Sequence, residues 1–349
     1  MFNLFKNKKL DNENETETKS GPQRQFGENQ KSVKKEPAKP WGRRERLIVG
    51  TTLLLSVLSS AILAMYARSW KLPNLPRLEL KGFEFLSGER IILEGDGGST
   101  SKAFERSQKV VEKFKEQTGK LAGVWGLYVY DIKNDFSFGI NENEEFQAAS
   151  LIKLPLIAQM YNLAERGEIV LNQTHTLSAG DKVGGAGSLY LEDNGTQIGY
   201  EDLIKQMANK SDNTAFRIAI GIVGEGNFQQ YIKDIGMTQT NYDANTTIPS
   251  DIGRYFKKLY GEKLINPGNT QKVFEYLTKT AYENWLVAGI PEEITVAHKY
   301  GREIHVVNDA GVVFANDPYI VVIMSKGVVE SEADKVFPVL SKLVYEEFK

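Results

Sequence analysis

The chain has 349 residues, 43 Lys and Arg against 45 Asp and Glu, and a formal net charge of −2. That balance argues against a nucleic-acid partner, and the absence of cysteine rules out disulfides, thiol catalysis and cysteine-held metals. The three histidines, His175, His298 and His305, are scattered without metal-ligand spacing, so no metal or other cofactor is expected.

Residues 1–46 are rich in Asn, Glu, Lys, Gln and Pro and poor in apolar residues after Leu10. Such a segment cannot bury enough surface to offset its ordering entropy, which predicts a disordered tail. Residues 47–66 carry no charge over a length suited to one bilayer crossing. Arg43, Arg44 and Arg46 before this run and Trp70 beyond it predict a single-pass transmembrane helix with a cytoplasmic N-terminus. Residues 67–100, with Pro73, Pro76 and Gly95-Asp96-Gly97-Gly98, read as a stalk ending in a flexible joint. A folded domain over 101–349 would then lie outside the cell membrane.

Within that domain, apolar residues at helical spacing predict a helix over 101–118, followed by strands over 124–131 and 136–140. A helix is predicted from Ser150 to about Arg166, with Gly167 as its C-cap and Pro155 confined to its first turn. Residues 173–199 form a long Gly-rich irregular stretch of the kind that lines sites. Helices are predicted over 200–210, 214–223, 228–235, 252–259 and 273–277. Strands over 295–300 and 304–314, turned by Gly301-Arg302-Glu303, precede a strand over 319–324 and a closing helix over 330–348. Strands at both ends with helices between indicate an α+β domain whose terminal strands share one antiparallel sheet.

Three polar clusters interrupt these apolar elements: Ser150-x-x-Lys153, Ser211-Asp212-Asn213 and Lys299-Tyr300-Gly301. On a helix, Ser150 and Lys153 share a face, which brings a hydroxyl and an amine together at a helix N-terminus suited to an oxyanion. Alone this spacing is weak, because Ser32-Val33-Lys34-Lys35 repeats it in the tail. The order of the three clusters, with Val306-Val307-Asn308-Asp309 leading into the last strands, resembles the class A β-lactamases and serine penicillin-binding proteins.

That resemblance implies a membrane-anchored serine hydrolase with a β-lactamase/transpeptidase-like fold, acting on β-lactams or peptidoglycan-type D-Ala-D-Ala peptides. It implies Ser150 as the acylated nucleophile and Lys153 as its base, the amine being pushed toward neutrality by desolvation and by Lys299. Ser211 would carry the proton to the leaving nitrogen, and Asn213 would bind the substrate amide, with Asp212 bracing the loop. The N–H groups of Ser150 and Arg302 would form the oxyanion hole, beside Tyr300 and Gly301. Two departures qualify this. Tyr300 stands where the family carries a small hydroxyl, and residues 236–249 contain no glutamate to activate water, so slow deacylation is expected. The alternative is a catalytically impaired wall-binding or sensory module on the same fold, and a scaffold acting through the tail is a weaker third reading.

Overall fold

The computed structural model describes residues 42–67, 91–95 and 101–349. The chain divides into two units, residues 1–73 and 74–349. In the first, α1 (Arg43–Ala67) is a 25-residue helix whose described apolar side chains, Leu53 to Leu55 among them, are exposed. Side chains in α1 are described continuously only over residues 49–60, and among the described residues no helix is long and apolar enough to cross a membrane. The expected tail, most of the stalk and its glycine joint lie outside the described residues.

The second unit begins with β1 (Ile91–Gly95), α2 (Ser101–Thr118), β2 (Val124–Asp131), β3 (Phe136–Ile140) and the short β4 (Phe146–Gln147). A 3₁₀ turn over Ala149–Ile152 leads into α3 (Lys153–Glu165), and the Gly-rich stretch holds a small ribbon of β5 (Thr174–Thr176) and β6 (Gln197–Gly199). Then come α4 (Tyr200–Asn209), α5 (Asn213–Val223), α6 (Glu225–Asp234), β7 (Thr246–Thr247), α7 (Pro249–Tyr260) and α8 (Pro267–Tyr276). The chain closes with β8 (Val296–Glu303), β9 (Val306–Val313), β10 (Tyr319–Lys326) and α9 (Glu330–Phe348).

Six strands form one antiparallel sheet in the order β1-β3-β2-β10-β9-β8, so the two ends of the domain meet where β2 pairs with β10. Side chains alternate across a strand, and here both faces are covered. Ile320, Val322 and Met324 join a core with α3 to α8, whereas Tyr319, Val321 and Ile323 join a second core with α2 and α9. α3 is apolar on nearly every face because it runs through the middle of the helical side. The piece Ile91–Gly95, within the residues read as the stalk and apolar enough there for a short strand, is a strand at the sheet edge, paired with β3.

The expected turn at Gly301-Arg302-Glu303 is corrected. Those residues continue β8, and the hairpin turns at Ile304-His305, where His305 takes a φ of +59° between the paired Glu303 and Val306. Gly301 imitates a turn residue for another reason, since a side chain there would strike the Ser150 turn. The helix expected to start at Ser150 is also displaced: Ser150 sits in the 3₁₀ turn and α3 begins at Lys153, which puts Pro155 in its first turn.

Candidate active site

Ser150 is held by the turn that precedes α3. β4 pairs with β7, and the Ala148 N–H donates to the Asn245 carbonyl at 2.8 Å. From β9, the buried Asn308 donates through Nδ2 to the Gln147 carbonyl at 2.8 Å and accepts the Ser325 N–H at 3.0 Å. These ties hold Ala149 at a φ of +49°, a left-handed conformation that costs a non-glycine residue roughly 1 kcal/mol. The kink lifts the Ser150 hydroxyl out of the apolar wall formed by the buried Leu151 and Ile152.

The Lys153 amine is the hub. Its Nζ meets Ser150 Oγ at 3.1 Å, Ser211 Oγ at 3.3 Å, the Ser211 carbonyl at 2.5 Å and Asn213 Oδ1 at 2.7 Å. Asn213 is oriented by its own donation from Nδ2 to the Gly184 carbonyl at 2.8 Å, so its oxygen must face the lysine. Two of the four partners can only accept. They use both protons of a neutral amine, and the lone pair is left for a serine hydroxyl. Burial pushes Lys153 down to about 8, against the opposing pull of Asp212. A lysine base in this geometry is therefore reachable near neutral pH.

Ser211 and Asp212 owe their placement to backbone strain and capping. Ser211 has a φ of +57°, and Asp212 caps α5 by accepting the Ala215 N–H at 2.9 Å. The other Asp212 oxygen accepts the N–H groups of Ser188 at 2.7 Å and Leu189 at 2.9 Å, which draws the Gly-rich stretch against the site. Gly187, at φ +80°, lies so close to Asp212 that any side chain would collide with the carboxylate. Asp212 braces the loop and does not face Ser150.

The strand wall differs. β8 is the edge of the sheet, and His298 donates its N–H away from the ladder to the Leu277 carbonyl at 2.8 Å. By the two-residue period of a strand, the N–H groups of Tyr300 and Arg302 face the same open edge. A Cβ on Gly301 would lie 2.9 Å from the Ser150 nitrogen, so this strand and the Ser150 turn meet backbone to backbone. The Ser150 and Arg302 N–H groups thus flank one narrow space.

Lys299 is fully buried, and its amine donates to the Tyr300 carbonyl at 3.1 Å, rather than to Ser211, with the Tyr300 ring centroid 4.3 Å away. Desolvation first, then the charge of Lys153, pushes Lys299 well below an ordinary lysine. Desolvation is the leading cause for both lysines, as expected for Lys153, and the repulsion between the two charges adds to it. Tyr300 stacks on Tyr282 and Trp285, with centroids 5.5 and 6.3 Å away, and lies outside the cleft wall. Arg302 lines the cleft, with its guanidinium tied to Asp334 at 3.1 and 3.2 Å.

These walls enclose a cleft of about 420 Å³. Larger surface hollows of about 1000 Å³ lie beside Phe274 and beside Arg217, and neither contains the serine or its lysine. Among the described residues there is no group of His, Asp or Glu able to hold a metal. The sequence assigns no role in the site to Asn308, Asn245, Glu303 or Phe216, all of which shape the Ser150 turn or the cleft. Only the Asn308-Asp309 pair within an apolar strand carried a signal, since a buried amide there needs partners.

The sequence matches a model of the beta-lactamase enzyme family over residues 107–348. No curated protein sequence matches it. Among solved structures, a β-lactamase from Sphaerobacter thermophilus aligns with a TM-score of 0.65 at 22% identity, over 68% of this chain and 96% of its own. PBP-A aligns with a TM-score of 0.65 at 23% identity, over 70% of this chain and 96% of its own. A point mutant of PBP-A, solved as an acyl-enzyme complex with penicillin G, gives 0.65 at 24% identity, again over 70% and 96%. At such identities the structural likeness speaks for the fold alone.

Proposed function

The chain belongs to the beta-lactamase enzyme family and is a serine hydrolase of that type; on that premise we propose that it works through an acyl-enzyme on Ser150. Its substrates in this reading are β-lactams or acyl-D-Ala-D-Ala-like peptides. The observation that carries it is the Lys153 amine, whose two shortest contacts, 2.5 and 2.7 Å, go to oxygens that only accept. Neutral Lys153 takes the proton of Ser150 across 3.1 Å as Oγ attacks the carbonyl carbon. The oxyanion forms between the N–H groups of Ser150 and Arg302, each worth about 3 kcal/mol of barrier. Ser211 Oγ, 3.3 Å from Lys153, relays the proton to the leaving nitrogen. The acyl-enzyme of the PBP-A mutant with penicillin G, a protein of the same fold, supports the reading by likeness.

A fluorescent penicillin tests it. The domain of residues 74–349 should acquire a covalent label that Ser150→Ala lacks; equal labelling of both proteins would falsify the acyl-serine step. The second reading, a wall-binding or sensory module, draws support from Tyr300, which turns into an aromatic stack while Lys299 bonds its carbonyl. Peptide binding that survives Ser150→Ala, with no turnover by the wild type, would favour it.

The uncharged residues 47–66 support a further part of the proposal, that the protein is held in the cell membrane by one helix with its catalytic domain outside. The full chain should then stay with membranes through an alkaline carbonate wash, and a chain starting at residue 74 should not. Release of the full chain by the wash would remove the anchor from the proposal.

A further inference from the structure

The stretch between α6 and α7 offers no glutamate to activate water, yet a carboxylate reaches the cleft from the other wall. Glu303 ends β8, and it is the sole carboxylate among the described residues that line the cleft with Ser150 and Lys153. Its Oε1 accepts a hydrogen bond from Asn245 Nδ2 at 3.1 Å. Asn245 itself is positioned firmly. It has a φ of +51°, its N–H donates to the Tyr242 carbonyl at 3.1 Å, and its carbonyl accepts the Ala148 N–H at 2.8 Å, two residues before Ser150. Asn245 lines the cleft, and its side-chain Oδ1 is buried behind that wall and accepts no hydrogen bond from any described residue.

A buried acceptor without a donor is costly, on the order of 1–3 kcal/mol, and a water is the donor small enough to satisfy it. Such a water, donating one proton to Asn245 Oδ1 and the other to Glu303, would lie at the same wall of the cleft as the Ser150 turn. We infer that Glu303 and Asn245 together hold and activate the water that hydrolyses the Ser150 acyl-enzyme. This rests on the acyl-serine reading. Glu303 takes a proton from the water while the water oxygen bonds to the acyl carbonyl carbon. The carbonyl electrons collect on the oxyanion and return as the bond to Ser150 Oγ breaks. Oγ recovers a proton through the neutral Lys153 amine, which is made good from the one Glu303 took. The product leaves as a carboxylic acid, and Glu303 is again a carboxylate and Lys153 again neutral. A glutamate on a strand end thereby takes a part that the stretch between α6 and α7 has no residue to play.

The competing role for the pair is mechanical, a tie between β8 and the segment before β7. Labelling and release of a fluorescent penicillin, measured separately on wild type, Glu303→Gln and Asn245→Ala, distinguish the two. The expected result is a ratio of labelling rate to release rate that rises at least tenfold in Glu303→Gln and by a smaller factor in Asn245→Ala. Hydroxylamine, a nucleophile that needs no base, should then release the label from Glu303→Gln as fast as from wild type. A wild-type adduct as long-lived as that of Glu303→Gln overturns the inference, and so does unequal release by hydroxylamine, which would signal a distorted site. If wild type takes no label, the acyl-serine reading fails first and this one falls with it.

Discussion

On the helical wall of the cleft, the Lys153 amine meets four oxygens, two of them serine hydroxyls; on the strand wall, the Lys299 amine donates to the Tyr300 carbonyl beside that residue's ring. Both lysines are buried and both are pushed toward neutrality. Burial alone therefore does not make a base. What distinguishes Lys153 is that its protons have acceptor-only partners, so its lone pair has a hydroxyl to face. Lys299 has no comparable set: the hydrogen bond its amine makes goes to the Tyr300 carbonyl, with that residue's ring beside it.

The largest effect expected on this contrast is at Ser150. Ser150→Ala should remove all covalent labelling by a penicillin while leaving thermal unfolding nearly unchanged, because the hydroxyl bears little packing. Next, Gly301→Ala puts a methyl 2.9 Å from the Ser150 nitrogen and 3.1 Å from the Ala149 Cβ. Displacing the turn should slow labelling by about 10²-fold, in line with the cost of an ångström-scale misplacement, and a rate within threefold of wild type would mean the two walls do not meet as described.

The pH dependence probes the Lys153 hub itself. Its folded value is lowered to about 8 from 10.5, and the neutral form is the active one. Labelling should accordingly be slow below pH 7, rise through pH 8 and level off above it; a profile flat from pH 6 to 9 would exclude Lys153 as the base. The same shift acts on stability, because the unfolded chain binds this proton more tightly. The burden of burying the charge is fully present below pH 8 and eases as pH rises from about 8 to 10.5.

The smallest change is expected on the strand wall. Tyr300→Thr removes a ring stacked on Tyr282 and Trp285 and should lower stability by about 1–3 kcal/mol, measured by urea unfolding. Uncovering Lys299 beside the cleft should raise the labelling rate a few-fold. A drop of tenfold or more would instead make the aromatic stack a support for the nucleophile.

Much of the fold was legible because apolar periodicity reports burial directly. The strands of residues 124–131 and 136–140 and the helix of residues 101–118 fall where the alternation and the helical spacing put them. The misplacements occur where tertiary contact overrides local preference. Gly301 reads as a turn residue, yet the Ser150 backbone pressing on a straight strand is what demands it. Helix α8 begins at Pro267, earlier than its apolar residues suggest, because the Asn266 side chain caps it by accepting the Asn269 N–H at 2.9 Å.

The site divides in the same way. By itself the sequence determined which chemistry-bearing groups are available: a serine and lysine one helical turn apart, a second serine with an asparagine, a strand lysine, and no cysteine, metal set or loop glutamate. Local spacing is enough for that, since residues three apart share a helix face in any context. Tertiary structure decided which of them meet. The positive φ values at Ala149 and Ser211, the turn of Tyr300 away from the cleft and the reach of Glu303 to Asn245 depend on contacts between segments from about 60 to 160 residues apart. Such contacts are formed by packing the sheet against the helices, and no stretch of the chain carries them alone.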